Sequence, residues 1–239
     1  MPNTLAPRSL FGVLVPWFNT VVEPELADLR PAGVTNQTAR FGVDATVLEN
    51  VARAAEHLLP CQPAALLLGL STEPYPGGLD LARQGADEVA RRTNLPVFTA
   101  SHATQAALRA LGVTRIAVVT PFDDAANAHV RGAFETTGFT VVGADGLACP
   151  DLATIGHTPP DVVRRAFREA DRPEAEAVVQ VGTGLPVVHL VAELEATLGK
   201  PVVACNAALY WQALRETGID DAIPGFGRLL GEATSMESR

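Results

Sequence analysis

Apolar and polar positions fall into blocks along this chain, and the blocks recur. Residues 10–15 form an apolar run stopped at Pro16, which predicts a first buried strand. Thr20 and Glu23 then stand three apart ahead of Leu26 and Leu29, the capping-box spacing, so a short helix is expected to begin near Val21. Residues 34–41 alternate loosely and predict a second strand, and residues 45–59 place Val47, Val51, Ala55 and Leu58 at helical spacing. Ala64 and Ala65 lead into three leucines, 66–68, apolar at every position as a strand buried on both faces requires. That run breaks into Gly69, Leu70, Ser71, Thr72 and Glu73 and then paired Pro and Gly residues up to Gly78. An ordinary strand-to-helix turn reads this way, and so does a loop whose free N–H groups face a ligand. A helix over 79–91, a strand over 95–99 and a helix capped by Ser101 or Thr104 and ending at Gly112 complete the first half.

The order of blocks then starts again. Residues 115–120 predict a strand that stops at Pro121-Phe122-Asp123-Asp124, as the first stops at Pro16-Trp17-Phe18-Asn19. Residues 140–142 predict a further strand, and Thr158 with Pro159 opens a helix to about Ala170. Residues 175–181 are a buried strand closing in Gly182-Thr183-Gly184, the counterpart of the Gly69 loop. Lys200-Pro201-Val202-Val203-Ala204, then Asn206 and a helix to Gly218, repeats Leu95-Pro96-Val97-Phe98-Thr99 and its helix to Gly112. One shift of 105 residues relates Pro16 to Pro121 and Pro96 to Pro201. Strands alternating with helices predict mostly parallel sheet, and the repetition predicts an α/β protein of two pseudo-symmetric lobes. The lobes are expected at 1–112 and 113–204, with 205–239 able to cross back to the first. If their strand carboxyl ends face one another, the loops at Asn19, Gly69, Phe122, Gly182 and Asn206 share a cleft. The alternative is two unrelated halves with separate surfaces, and the matching offsets speak against it.

At 239 residues and 47% hydrophobic side chains, the chain can bury one large core or two small ones. A net charge of −9 without any Lys/Arg cluster argues against nucleic acid or an anionic membrane as partner. A small anionic substrate stays open, because backbone dipoles act locally. Cys61, Cys149 and Cys205 have wide, unrelated spacings, which fits reduced thiols in cytoplasm better than a disulfide framework. The first residues carry prolines and polar groups where a secretory segment would be apolar, and no apolar run approaches the roughly 20 residues of a membrane span. Gly182-Thr183-Gly184 lacks the third glycine of a dinucleotide fingerprint, Val187 standing in its place. His57, His102, His129, His157 and His189 show no ligand spacing, so neither a nicotinamide cofactor nor a metal is expected.

Val15-Pro16-Trp17-Phe18-Asn19-Thr20-Val21-Val22-Glu23-Pro24-Glu25 resembles the opening signature of maleate cis-trans isomerases, in the aspartate/glutamate racemase superfamily. Gly69-Leu70-Ser71-Thr72-Glu73-Pro74-Tyr75-Pro76-Gly77 is more similar to the corresponding loop of the arylmalonate decarboxylases. Thr120-Pro121-Phe122 with Asn127, Gly199-Lys200-Pro201-Val202-Val203 with Asn206, and Pro224-Gly225-Phe226-Gly227-Arg228-Leu229 resemble both. The resemblance covers nearly the whole chain. It implies the two-lobed racemase fold, cofactor-independent chemistry on a small carboxylic acid, and a homo-oligomer, dimer or tetramer. It also implies two cysteines facing each other across the cleft, a residue type whose pKa can be tuned close to working pH. Here the first of those positions is Gly69 and the second Gly182, whereas arylmalonate decarboxylase keeps the second cysteine as proton donor. Racemisation or isomerisation by the usual thiol route is therefore not expected. The family tyrosine is Phe122 and the isomerases' loop asparagine falls on Leu152, beside Asp151, so a less polar pocket follows.

Asn19, the hydroxyls of Ser71, Thr72 and Thr183, and the Asn206 amide remain to hold a carboxylate, together with backbone N–H groups around Gly69, Leu70 and Gly182. Phe122 and Leu152 would be among the apolar walls. Four residues are candidates for the chemistry itself. Ser71 offers a hydroxyl at the loop; the stretch is one residue short of a G-x-S-x-G elbow, and no late histidine follows an acidic residue in hydrolase order. Glu73 could have its pKa raised by burial beside Pro74 and Tyr75, or could simply cap a helix. His102 stands in the matching loop of the first lobe, as a donor to substrate or as a cap. Cys205 could be a displaced thiol acid, although free cysteines are usually buried small hydrophobes, and a continuing strand would turn it and Asn206 to opposite faces. Cys61 lies at the wrong end of its strand, and Cys149 stays open. The expected function is a lyase-like cleavage through an enolate-type anion. The alternatives are a maleate-type isomerase or racemase with a displaced acid/base, and a carboxylate-binding protein that has lost the chemistry.

Overall fold

The computed structural model describes residues 3–232. Strands β1 (Ser9–Pro16), β2 (Val34–Phe41), β3 (Ala65–Leu68) and β4 (Val97–Thr99) form one sheet, in the order β2-β1-β3-β4. Strands β5 (Arg115–Thr120), β6 (Thr140–Gly146), β7 (Ala177–Gln180) and β8 (Val202–Ala204) form a second, in the order β6-β5-β7-β8. All pairings are parallel, so the carboxyl ends of each sheet lie along one edge. The two sheets share one topology: Leu14 stands opposite Leu68 in the first as Val119 stands opposite Gln180 in the second. Helices α1 (Val22–Asp28), α2 (Val47–Leu58), α3 (Gly78–Thr93), α4 (Ala100–Ala110), α5 (Asp124–Glu135), α6 (Pro160–Ala170), α7 (Val191–Leu198), α8 (Cys205–Glu216) and α9 (Arg228–Gly231) provide the connections and the covering layers.

The larger apolar core runs through both sheets without a break, joining Phe11, Val13 and Leu67 to Val118, Val179 and Val203. Helix α8 is part of the reason. After β8 it packs on α4, α1 and β3, carrying Leu209, Tyr210 and Trp211 into the shared core. Tyr210 keeps its hydroxyl satisfied by donating to Asn36 Oδ1 at 3.1 Å. A smaller core lies between the first sheet and α2, built from Leu14, Phe41, Val51, Ala55 and Leu66. No helix among the described residues is long and apolar enough to cross a membrane.

Several local expectations are corrected. Thr20 and Glu23 make no capping box: Asn19 Oδ1 accepts from the N–H groups of Val21 (2.9 Å) and Val22 (3.0 Å), and Glu23 pairs with Arg40 at 2.9 Å. Thr99, rather than Ser101 or Thr104, caps α4 by accepting from His102 N–H at 3.2 Å. Thr158 does not cap α6, since its hydroxyl donates back to the Ile155 carbonyl at 2.7 Å. The segment after Phe122 holds α5, which no sequence pattern announced.

Candidate active site

The loops after β1, β3 and β7 reach one another through side chains that only a parallel sheet could aim this way. Gly182 N–H donates to Ser71 Oγ at 3.1 Å, Thr183 Oγ1 donates to the Gly69 carbonyl at 3.1 Å, and Asn19 Nδ2 donates to Thr183 Oγ1 at 3.2 Å. The Gly69 and Gly182 loops thus meet. Asn19 is held in place because its other end caps α1.

Between these loops lies a half-open cavity of about 40 Å³. Its walls include Phe18, Val43, Leu70, Pro74, Phe122 and Ile155. Tyr75 and Leu152 also line it and are 41% and 40% exposed, so they form its outer rim. The polar groups are Asn19, Ser71 and Thr183 with the backbone around them. The backbone N–H groups of Leu70, Ser71, Thr183 and Gly184 find no acceptor among the described residues. Four unpaired donors at a cavity with apolar walls suit an anion.

Gly69 and Gly182, where the resemblance implies the superfamily's cysteines, have no room for a larger side chain. A Cβ on Gly69 would lie 2.7 Å from Val22 Cγ1. Gly182 has φ +113°, a region side chains rarely adopt, and a Cβ there would lie 2.5 Å from Pro121 Cδ and 3.4 Å from the Phe122 ring.

Beneath the cavity is a layer of buried polar groups. Glu73 is 1% exposed, and neither of its carboxyl oxygens has a hydrogen-bond partner among the described residues. Burial pushes its pKa up. Cys205 is fully buried, its thiol donating to Gln180 Oε1 at 3.4 Å. Burial first, then the carboxyls of Glu73 and Glu25, push that thiol's pKa up, so it stays protonated. Gln180 in turn donates to the Gly182 carbonyl at 2.7 Å. Glu25, on α1, accepts from Val187 N–H (2.8 Å), Val188 N–H (2.9 Å) and Asn206 Nδ2 (2.7 Å); burial still pushes its pKa up against those bonds.

Of the residues singled out from the sequence, Asn19, Leu70, Ser71, Phe122, Leu152, Gly182 and Thr183 line the cavity. Gly69 stands behind it, offering its carbonyl to Thr183. Thr72 faces α4, its hydroxyl 3.0 Å from Ser101 Oγ, and so fastens the loop. Asn206 also holds structure, donating to Glu25 and, at 3.0 Å, to the Thr183 carbonyl. Cys205 opens α8 instead of ending β8, so the strand alternation that would separate it from Asn206 does not apply; both are buried in the first turn. His102 lies outside the cavity, in a hollow with Arg83, where burial and that cation push its pKa down. Cys61 is exposed, ahead of β3, and Cys149 is half-buried, 3.8 Å from Thr158 Oγ1. Glu25 and Gln180 went unread. Glu25 had a signal, since it shares the apolar face of Val22, Leu26 and Leu29 at helical spacing, where a carboxylate needs partners.

Residues 12–230 match the arylmalonate decarboxylase family. The arylmalonate decarboxylase of Bordetella bronchiseptica is 32% identical over 232 residues, 92% of either chain. The maleate isomerase of Nocardia farcinica is 32% identical over 130 residues, 54% of this chain and 52% of its own. The structure of the Nocardia farcinica maleate cis-trans isomerase bound to Tris matches with a TM-score of 0.83 at 26% identity, covering 94% of this chain and 98% of that one. Unliganded arylmalonate decarboxylase matches with a TM-score of 0.81 at 26% identity, covering 94% and 99%. With fold, loop order and nearly the full length in agreement, the chain belongs to the arylmalonate decarboxylase family.

Proposed function

We propose that this protein is a cofactor-independent lyase that cleaves a C–C or C–X bond next to the carboxylate of a small acid, by way of an enolate-type anion. The observation that carries the reading is that the Leu70, Ser71, Thr183 and Gly184 N–H groups, from loops of both sheets, lack acceptors among the described residues and belong to residues lining one cavity with apolar walls. For a malonate-type acid, the retained carboxylate takes these donors and the Asn19 amide. The departing carboxylate is left against apolar side chains, where its charge is poorly solvated. Its C–C bond breaks, the electron pair passes into the enolate, and carbon dioxide leaves. The donors now bind the added charge; each such prearranged donor is typically worth about a hundredfold or more in rate.

The carbon that carried the lost group then takes a proton. Ser71 lines the cavity, and two buried groups that hold protons, Cys205 and Glu73, belong to the polar layer beneath it. The Ser71 hydroxyl delivers the proton and is reprotonated from this buried layer, whose acids burial holds protonated and which regains its proton from solvent as product leaves. An isomerase built on a displaced thiol fits less well, because Cys205 is fully buried and does not line the cavity. In this reading Cys205→Ser keeps most of the turnover, and a loss above a hundredfold would favour the thiol route.

The decisive experiment is incubation with malonates, maleate, aspartate, glutamate and hydantoins in deuterated water, followed by NMR. Expected is loss of carbon dioxide from a malonate with one deuterium gained at the same carbon. Conversion of maleate alone would favour an isomerase, and a thermal shift without turnover of anything would favour a binding protein. A cytoplasmic location, for which the unpaired cysteines speak, and a homo-oligomer belong to the same proposal. Cell fractionation and light scattering test them.

A further inference from the structure

The cavity is narrow, and a far larger hollow lies beside it. Helices α3, α4 and α5 border a half-open hollow of about 600 Å³. Tyr75 is the residue common to the linings of this hollow and the cavity. Its side chain is 41% exposed, and it sits in a turn that Gly77 closes at φ +66° with nothing within 4 Å of a Cβ there. The hollow is not a bare crevice. Gln105 on α4 lines it and is only 3% exposed, yet its Nε2 has no acceptor among the described residues. A buried amide left without an acceptor costs stability unless something else supplies one.

Two more donors line the same space. His102 has Nδ1 2.8 Å from Thr99 Oγ1, an oxygen that already accepts the His102 N–H. With the Thr99 hydroxyl donating to Nδ1, the ring presents Nε2–H as its donor. Arg83 supplies a guanidinium, of which Asp80 engages one arm at 2.7 Å. Ala128 and Ala133 of α5 give an apolar floor.

We infer that this hollow is a second compartment of the substrate site, closed off by Tyr75, and that it takes the acceptor-bearing tail, a carboxylate or amide carbonyl, of an acid whose head group occupies the inner cavity. The inference rests on the lyase reading for the head group alone. The tail compartment is tested separately with 3-carboxypropylmalonate as tailed acid and methylmalonate as head-only acid, by calorimetric binding and by kcat/KM. The expected result is at least tenfold tighter binding of the tailed acid to the wild type, with Gln105→Leu cutting that preference at least tenfold. Arg83→Ala should cut it in the same direction. Transferred NOEs from the tail to the His102 ring report the site even for a ligand that is not turned over. Equal binding of the two acids, including no binding of either, overturns the inference, as does an unchanged preference in Gln105→Leu. Tight tailed binding with no turnover of any acid would instead overturn the lyase reading and leave the compartment standing.

Discussion

At the residue scale, Gly69 and Gly182 are bound into the surrounding packing. Because Gly182 sits at φ +113° with Pro121 where a Cβ would go, Gly182→Ala should cost about 1–3 kcal/mol of stability in denaturant melts. Its activity should fall further, since the Ser71 contact is made by the Gly182 N–H itself. Glu73 makes a second prediction. Burial raises its pKa above the ordinary 4.5, so the folded protein holds this proton over a pH range in which the unfolded chain has released it. The associated stability is complete below about 4.5 and is lost as pH rises through the folded value. Glu73→Gln has no such loss. Its melting temperature relative to the wild type should climb between pH 4 and pH 8, and its turnover should be lower with a flatter alkaline limb. A constant difference in melting temperature across that range would show that Glu73 does not titrate as described.

At the scale of elements, α1 shows what a sequence can and cannot disclose. The strands with solidly apolar runs, β1, β3, β5 and β7, were legible because burial on both faces leaves little else that such runs can do. Helix α5 was not, since only Asn127, Val130 and Phe134 of it are buried, too sparse a stripe against its alanines. The Thr20/Glu23 spacing pointed to a cap that Asn19 makes instead, because side chains compete for the same N–H groups and tertiary contacts decide between them. Asn19 thereby joins two jobs, the start of α1 and a donor to Thr183. Asn19→Asp separates them: the carboxylate still caps, and caps well at a helix N-terminus, but it brings negative charge to a site shaped for an anion. Stability should stay within about 1 kcal/mol while KM for the acid rises at least tenfold. Asn19→Ala should lose both, with about 1–2 kcal/mol of stability gone.

On the scale of the whole molecule, the two sheets are joined by a continuous apolar core and, next to the cavity, by one buried carboxyl. Glu25 belongs to α1, beside the first sheet, and it gathers two N–H groups from the segment ahead of α7 and the amide of Asn206 at the start of α8. The cleft position of the Gly182 loop was readable from the repeat at 105 residues; the fastening that holds it was not, because no local pattern tells which distant N–H groups a carboxyl will meet. Removing it in Glu25→Ala leaves the buried Val187 and Val188 N–H groups without an acceptor and takes from Asn206 Nδ2 one of its two, a defect expected to cost about 3–5 kcal/mol. Glu25→Gln keeps an oxygen for the Val187 and Val188 N–H groups and should recover more than half of that. Because Asn206 also holds the Thr183 carbonyl, the same variants should raise KM in the order of their instability, even at temperatures where both are fully folded. Chemical denaturation read with steady-state kinetics at 15 °C checks both parts. An Ala variant that melts early but binds substrate normally when folded would leave Glu25 as a structural tie with no hold on the site.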